Sequence, residues 1–339
     1  MKIDFIEDFE FFEAEFIKRL FSEAIQTITK EDPGNLSIII LAGNQSKAST
    51  FAARKLSGGQ CENYFVLSDE QLKHRFWRYR KAHLVLRNYF NPAWTRETVF
   101  TLPLGYHGDF PLQRVREATP KLRTYAWSFV GQIKQERQEM ISIFETVGPS
   151  FSFQSAEFND SRGLSGPEVF TIYSESHFVL CPFGNVSPDS FRVMEALQAG
   201  AIPVTIRFLG TDHNRLVFGD HPFIVATDWD NALLVVQAFL EDPRALRAKQ
   251  LEVQKWYDRF MQNLTNDLGA ILNGSSRDEL ESEQFIYQRL ASRTLLVRIR
   301  YWQHYSPRAK AFRRETKELI DFLYIWSGLK RFRQRKRRR

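Results

Sequence analysis

Residues 176–204 read SHFVLCPFGNVSPDSFRVMEALQAGAIPV, and the order of apolar and turn-forming residues in this run decides the fold. HFVLCP (177–182) is a short apolar run of the kind that forms a strand buried on both faces. The Gly, Asn, Ser and Pro residues after it predict a loop. A helix is expected from Asp189 to Ala199, stopped by Gly200, and AIPVTI (201–206) returns to a buried strand. Strand, loop, helix and strand make a parallel βαβ unit. In a doubly wound sheet ligands sit beyond the carboxyl ends of the strands, so this loop and the start of this helix are expected to face a cleft.

The same rhythm extends in both directions. Upstream, LSIIILA (36–42), YFVL (64–67), HLVL (83–86) and VFTLPLG (99–105) alternate with helix-like stretches and predict a first parallel sheet. The polar segment LQRVREATPKLRTY (112–125), with Pro120 discouraging a continuous helix, is expected to separate two domains, 1–118 and 119–280. WSFVG (127–131), a helix near 134–147, and FIVA (223–226) complete a second α/β unit. A helical extension is expected over 281–329, with a break at Ser306-Pro307, and then a basic tail over 330–339.

The central run has the chemistry of a diphosphate site. Backbone N–H groups near Pro188 to Ser190 lack intrahelical partners at a helix start, and the helix dipole favours an anion there. Ser190 adds a hydroxyl. Arg192 adds a planar fork that matches two phosphate oxygens. Glu195 lies one turn on, on the same face, where a carboxylate can accept both hydroxyls of a ribose. The plainer alternative makes Asp189 or Ser190 a simple helix cap and Arg192 and Glu195 a surface ion pair.

The whole run resembles the hallmark of the exostosin-type glycosyltransferases, family 47: S-x-F-x-L-x-P-x-G, then S-x-R-x-x-E-A, then G-C-I-P-V. The matching positions are Ser176, Phe178, Leu180, Pro182, Gly184, Ser190, Arg192, Glu195, Ala196, Gly200, Ile202, Pro203 and Val204. In SFVGQIKQER, Gly131 and Arg137 are similar to the family's glycine turn and the arginine that opens the donor domain. The resemblance implies two Rossmann-like domains facing a cleft (GT-B), a uridine diphosphate sugar as co-substrate, inversion at the anomeric carbon, no cofactor and no obligatory metal. It also implies a donor site of Gly131, Arg137, Pro182, Gly184, Ser190, Arg192 and Glu195, and a glycan or lipid-linked acceptor. Ala201 stands where the family often has Cys, and Phe183 where a basic residue is frequent.

Inverting transfer needs a base from the first domain. GYHGDF offers His107 and Asp109; His74 and Asp69 follow YFVL in the same manner. The loop AGNQSKAS after the first strand is a further candidate for ligand contact. The D-x-D at Asp228 and Asp230 has the form of a metal-binding pair, but it opens a helix, and a helix cap is the expected role.

Composition bounds the alternatives. Of 339 residues 43% are apolar and 30 are Phe, enough for packed cores. The net charge of +7 lies in the tail, where eight of the last ten residues are Lys or Arg; the rest carries 39 basic and 40 acidic groups. A near-neutral body argues against a nucleic-acid channel, and the tail suits electrostatic contact with an anionic membrane surface, helped by Tyr324 and Trp326. Two cysteines, Cys61 and Cys181, exclude a disulfide framework. The acidic N-terminus fits no signal peptide, which makes a cytoplasmic location the expectation. A catalytically silent nucleotide-sugar-binding or scaffold protein, tethered by the tail, is the alternative reading.

Overall fold

The computed structural model describes residues 13–27, 38–42, 63–67, 70, 84–91, 99–113, 115, 123–155, 163–273, 283–294, 296–299 and 301. The first sheet pairs β1 (Ile38–Ala42), β2 (Asn63–Leu67), β3 (Leu84–Arg87) and β4 (Val99–Thr101), all parallel and in chain order. Strand β4 stops at Thr101 rather than at Gly105. Pro103 has no N–H to give a ladder, and Gly105 takes a left-handed φ of +80°.

The second sheet contains β5 (Tyr125–Gln132), β6 (Ser150–Ser155), β7 (Ser176–Leu180), β8 (Ile202–Ile206) and β9 (Ile224–Ala226), all parallel, in the order β6-β5-β7-β8-β9. Its middle strand, β7, is buried along its whole length, as an apolar run covered on both faces must be. Phe178 lies between Trp127 of β5 and Ile202 of β8. One of the two edge strands, β6, reads SFSFQS and has no fully buried residue, the alternation of an edge strand. The order reverses between β5 and β7. That reversal opens a crevice at their carboxyl ends, and it is the site that the topology offers to a ligand.

Helices cover the sheets: α1 (Ala14–Ile25), α2 (Gln135–Phe144), α3 (Gly166–Ser174), α4 (Phe191–Gln198), α5 (His213–Phe218), α6 (Trp229–Glu241), α7 (Pro243–Leu272) and α8 (Glu283–Arg293). In α1, Phe16, Ile17, Leu20, Phe21 and Ala24 are buried while Glu15, Lys18 and Ser22 face outward, so one stripe packs, and it packs on α7. Helix α7 begins at Pro243, which lacks an N–H where none is needed, and the Asp242 carboxylate accepts from the amides of Arg244 and Ala245. Helix α8 packs on α5.

One buried cluster joins Phe16 of α1, Leu86 and Phe100 of the first sheet, Phe178 of the second and Tyr257 of α7. Helix α4 is buried from Val193 to Gln198 because it is enclosed on several sides. Its Gln198 amide donates to Leu112 O at 2.5 Å, and its Gln198 Oε1 accepts from the Tyr257 hydroxyl at 3.2 Å. The helix ends with Gly200 at φ +72°: Ala201 N–H reaches Ala196 O at 2.8 Å and Gly200 N–H reaches Leu197 O at 3.1 Å. This paired closure needs a left-handed residue, which explains the glycine in QAGAIPV. Strand β8 can then start two residues later.

Candidate functional site

The crevice at the ends of β5 and β7 is a cavity of about 500 Å³. Its second-sheet wall includes Gly131, Gln132, Arg137, Gly184, Ser190 and Arg192; Tyr89, Leu104, His107 and Asp109 close it from the other side. Of the nine residues expected at the site, eight line this one cavity. Pro182 does not line it; it is buried directly after β7.

Ser190 occupies the N-cap position of α4, in extended conformation (φ −143°, ψ 136°), but its side chain caps nothing. Its Oγ instead accepts a hydrogen bond from Arg192 Nη1 at 3.1 Å. Asp189 does not cap the helix either: its carboxylate holds the Ser187 hydroxyl through Oδ2 and contacts His213 Nε2 at 3.0 Å through Oδ1. The simple-cap reading is therefore corrected. The start of α4 faces the cleft without a side-chain acceptor over it, and the helix dipole favours an anion there.

Arg192 lies back across strand β5. Its Nε donates to Val130 O at 2.7 Å, and its guanidinium carbon stands 5.0 Å from the centre of the Phe129 ring, a cation–π stack. Arg137, in the first turn of α2, donates to Gln132 O at 2.9 Å and to Phe183 O at 2.7 Å, so it ties the end of β5 to the loop after β7. Burial, and then repulsion from Arg192, lowers the Arg137 pKa to about 10, which leaves it charged at neutral pH. Two guanidinium groups that repel each other in one cleft favour an anion there.

Glu195 is 6% exposed, which rules out the surface ion pair. Its Oε1 accepts the backbone N–H of His107 at 3.2 Å, a bond that joins α4 to the segment after β4. Burial pushes the Glu195 carboxyl up to about 7, opposed by Arg192 and by the His107 amide. Tyr173 of α3, wholly buried, completes the floor beside it. The His107 ring meets Phe191 edge-on at 5.8 Å. Asp109 Oδ1 accepts the Gly166 amide at 3.0 Å, at the start of α3, which fixes that carboxylate at the cavity rim.

Reading the sequence misses three groups. Glu70, shortly after β2, accepts the amides of Val186 at 2.6 Å and Ser187 at 3.2 Å. His213 stacks on Tyr301 and bonds its hydroxyl at 2.6 Å while supporting Asp189 from behind. Tyr173 is the third. None has a local signal, because each reaches the site from another element of the fold. The capping box of α3, Ser165 with Glu168, has the local form S-x-x-E. Asp228 is the N-cap of α6, accepting the Asn231 amide at 2.8 Å, as expected for the D-x-D pair. Asp69, His74, Cys61, residues 43–49 of the AGNQSKAS loop, the Ser306-Pro307 break, Tyr324, Trp326 and the tail 330–339 lie outside the described residues.

Comparison with known proteins agrees with this geometry. Residues 107–277, which include His107 and Asp109 of the cavity and the whole second sheet, match the family described as RXYLT1 C-terminal domain. A search of curated proteins returns no match. Among solved structures, a DNA-modifying β-glucosyltransferase studied with and without uridine diphosphoglucose superposes with a TM-score of 0.50 at 12% identity, over 81% of this chain and 100% of that one. HepE of Anabaena, in complex with UDP and glucose, gives 0.48 at 9% identity over 80% of this chain and 98% of that one. An α1,3-fucosyltransferase gives 0.45 at 13% identity over 79% of this chain and 92% of that one. The fold is the GT-B fold of glycosyltransferases, with two parallel α/β sheets about one cleft.

Proposed function

The chain belongs to the RXYLT1 C-terminal domain family, and from that premise we propose that it is an inverting, metal-independent glycosyltransferase that takes its sugar from a uridine diphosphate donor. The observation that supports this most is that Ser190, at the uncapped start of α4, lines one cavity with Arg192 and Arg137 at the reversal point of the second sheet. Uridine diphosphoglucose is the substrate named for the β-glucosyltransferase that shares the fold. The exostosin-like run from Ser176 to Val204 supports the same donor class.

In this reading the diphosphate lies over the N-terminus of α4, with Arg192 and Arg137 beside it, and Glu195 accepts hydrogen bonds from the ribose. An acceptor hydroxyl enters from the side of His107 and Asp109. The acceptor oxygen attacks the anomeric carbon as the bond to the diphosphate oxygen breaks, and the hydroxyl proton passes to Asp109 or His107. The developing negative charge on the leaving diphosphate is met by guanidinium groups and helix amides already in place. The acceptor is a glycan or a lipid-linked saccharide, and the basic run 330–339 draws the protein to anionic membrane surfaces where such acceptors reside.

Incubating the protein with a panel of nucleotide sugars and oligosaccharide acceptors, and then mass spectrometry of the products, tests the proposal. A product heavier by one sugar residue from a uridine diphosphate donor is expected. Transfer from a guanosine or cytidine donor alone would overturn the donor assignment.

A further inference from the structure

The loop after β7 carries a second anion-binding feature, distinct from the start of α4. The consecutive amides of Val186 and Ser187 converge on one oxygen, Glu70 Oε1, at 2.6 and 3.2 Å. Successive N–H groups aimed at one point form an anion-binding concavity, and the oxygens of a carboxylate and a phosphate are equivalent acceptors for it. Gly184 lets the loop fold tightly here: a Cβ there would stand 2.5 Å from Asp189 O, 2.8 Å from Ser187 O and 3.0 Å from the same Glu70 oxygen. Glu70 belongs to the first sheet's half of the chain and the loop to the second, so the contact bridges the cleft.

Cations gather around this contact. Lys134 and Arg137 both sense Glu70 as a favourable negative neighbour. Both also sense Arg192 as a repulsive one. Arg137 also has Glu136 as a favourable neighbour, so three cations and two convergent amides share the carboxylates of Glu70 and Glu136. A diphosphate brings more charge and more acceptor oxygens than Glu70 supplies.

We propose that the Val186 and Ser187 amides, with Lys134 and Arg137, are a phosphate subsite of the cleft, and that Glu70 fills it as a latch between the two sheets which the donor diphosphate must displace. The proposal rests on the donor-cleft reading above and adds to it a built-in competitor. Donor binding then exchanges an internal carboxylate for a phosphate, and it releases one contact holding the halves together. Removing the carboxylate strengthens phosphate binding, whereas a Glu70 that merely shapes the loop would, once removed, leave phosphate binding unchanged or weaker.

The test is calorimetric titration of the full-length protein and of Glu70→Gln and Glu70→Ala with UDP, inorganic pyrophosphate and uridine, with Glu145→Gln, an exposed acid at the end of α2, as the charge control. Both Glu70 variants are expected to bind UDP and pyrophosphate about tenfold more tightly, the scale of one charge-assisted competitor, with uridine unchanged and Glu145→Gln like the parent. Unchanged or weaker binding of UDP and pyrophosphate by both variants overturns the latch. So does loss of turnover at unchanged affinity, which makes Glu70 the catalytic base. Pyrophosphate needs no nucleoside site: tighter pyrophosphate binding without any UDP binding sustains the latch and removes the uridine reading instead.

Discussion

Arg192 lies where a side chain on Gly131 would be: a Cβ built on Gly131 overlaps the Arg192 guanidinium. The end of β5 is bare so that an arginine from α4 can cross it, reach Val130 O and still face the cavity. This relationship explains why a glycine and an arginine 61 positions apart belong to one motif. Gly131→Ala is expected to displace the guanidinium and weaken UDP binding about tenfold or more, on the scale of a charge-assisted hydrogen bond of about 1.5 to 3 kcal/mol. Calorimetry on the variant checks this; parental affinity would separate Gly131 from Arg192.

Arg192→Lys separates charge from shape. Lysine keeps the charge but has neither the fork nor the flat face that stacks on Phe129. The variant is expected to retain only a fraction of the parent's UDP affinity, with Arg192→Ala weaker still. Full rescue by lysine in the same titration would mean that Arg192 acts as a point charge alone.

Glu195 makes the site sensitive to pH. In the ligand-free protein its carboxyl titrates at about 7, because burial disfavours the charge. If the ribose is held by the carboxylate, UDP affinity rises more steeply between about pH 6 and 8 in the parent than in Glu195→Gln, where only the ligand's own terminal phosphate, with a second pKa of about 6, titrates. The effect on stability has the opposite sign. A folded-state pKa raised above the unfolded value favours folding below the unfolded value, near 4.5, and that advantage is lost as pH rises to about 7. Glu195→Gln should therefore gain in Tm relative to the parent between those limits. A Tm difference independent of pH would remove Glu195 as the titrating group.

Much of the fold is legible in the sequence because it is local. The runs of β1, β2, β3, β7 and β8 are continuous apolar stretches, and the glycine closing α4 marks its end within a residue. Strand β6 is harder to read because its SFSFQS alternation belongs to a half-exposed edge, with little apolar content to distinguish it from a loop. Ser190, Arg192 and Glu195 are readable for the same local reason: they share one helix start. Their partners are not. His107 lies 88 positions from Glu195, and Glu70 lies 116 from Val186, so only the meeting of the two sheets brings them together.

Chelation distinguishes the two readings of the acidic pair in TDWDN. With the diphosphate held by guanidinium groups and helix amides, transfer is expected to continue in EDTA. Asp228→Ala is expected to cost about 1 kcal/mol of stability, the value of a lost helix cap, and to leave turnover unchanged. Complete loss of transfer in EDTA, restored by manganese, would make Asp228 and Asp230 metal ligands.

The central claim is that the crevice between β5 and β7 binds a nucleoside diphosphate through Arg192. Calorimetric titration of UDP into the parent and into Arg192→Ala, with both melting curves recorded, tests it directly. Saturable binding by the parent is predicted, weakened about tenfold or more in the variant, with a cooperative melting transition in both showing that each is folded. Equal affinity in the two proteins, or no binding by a folded parent, would contradict it.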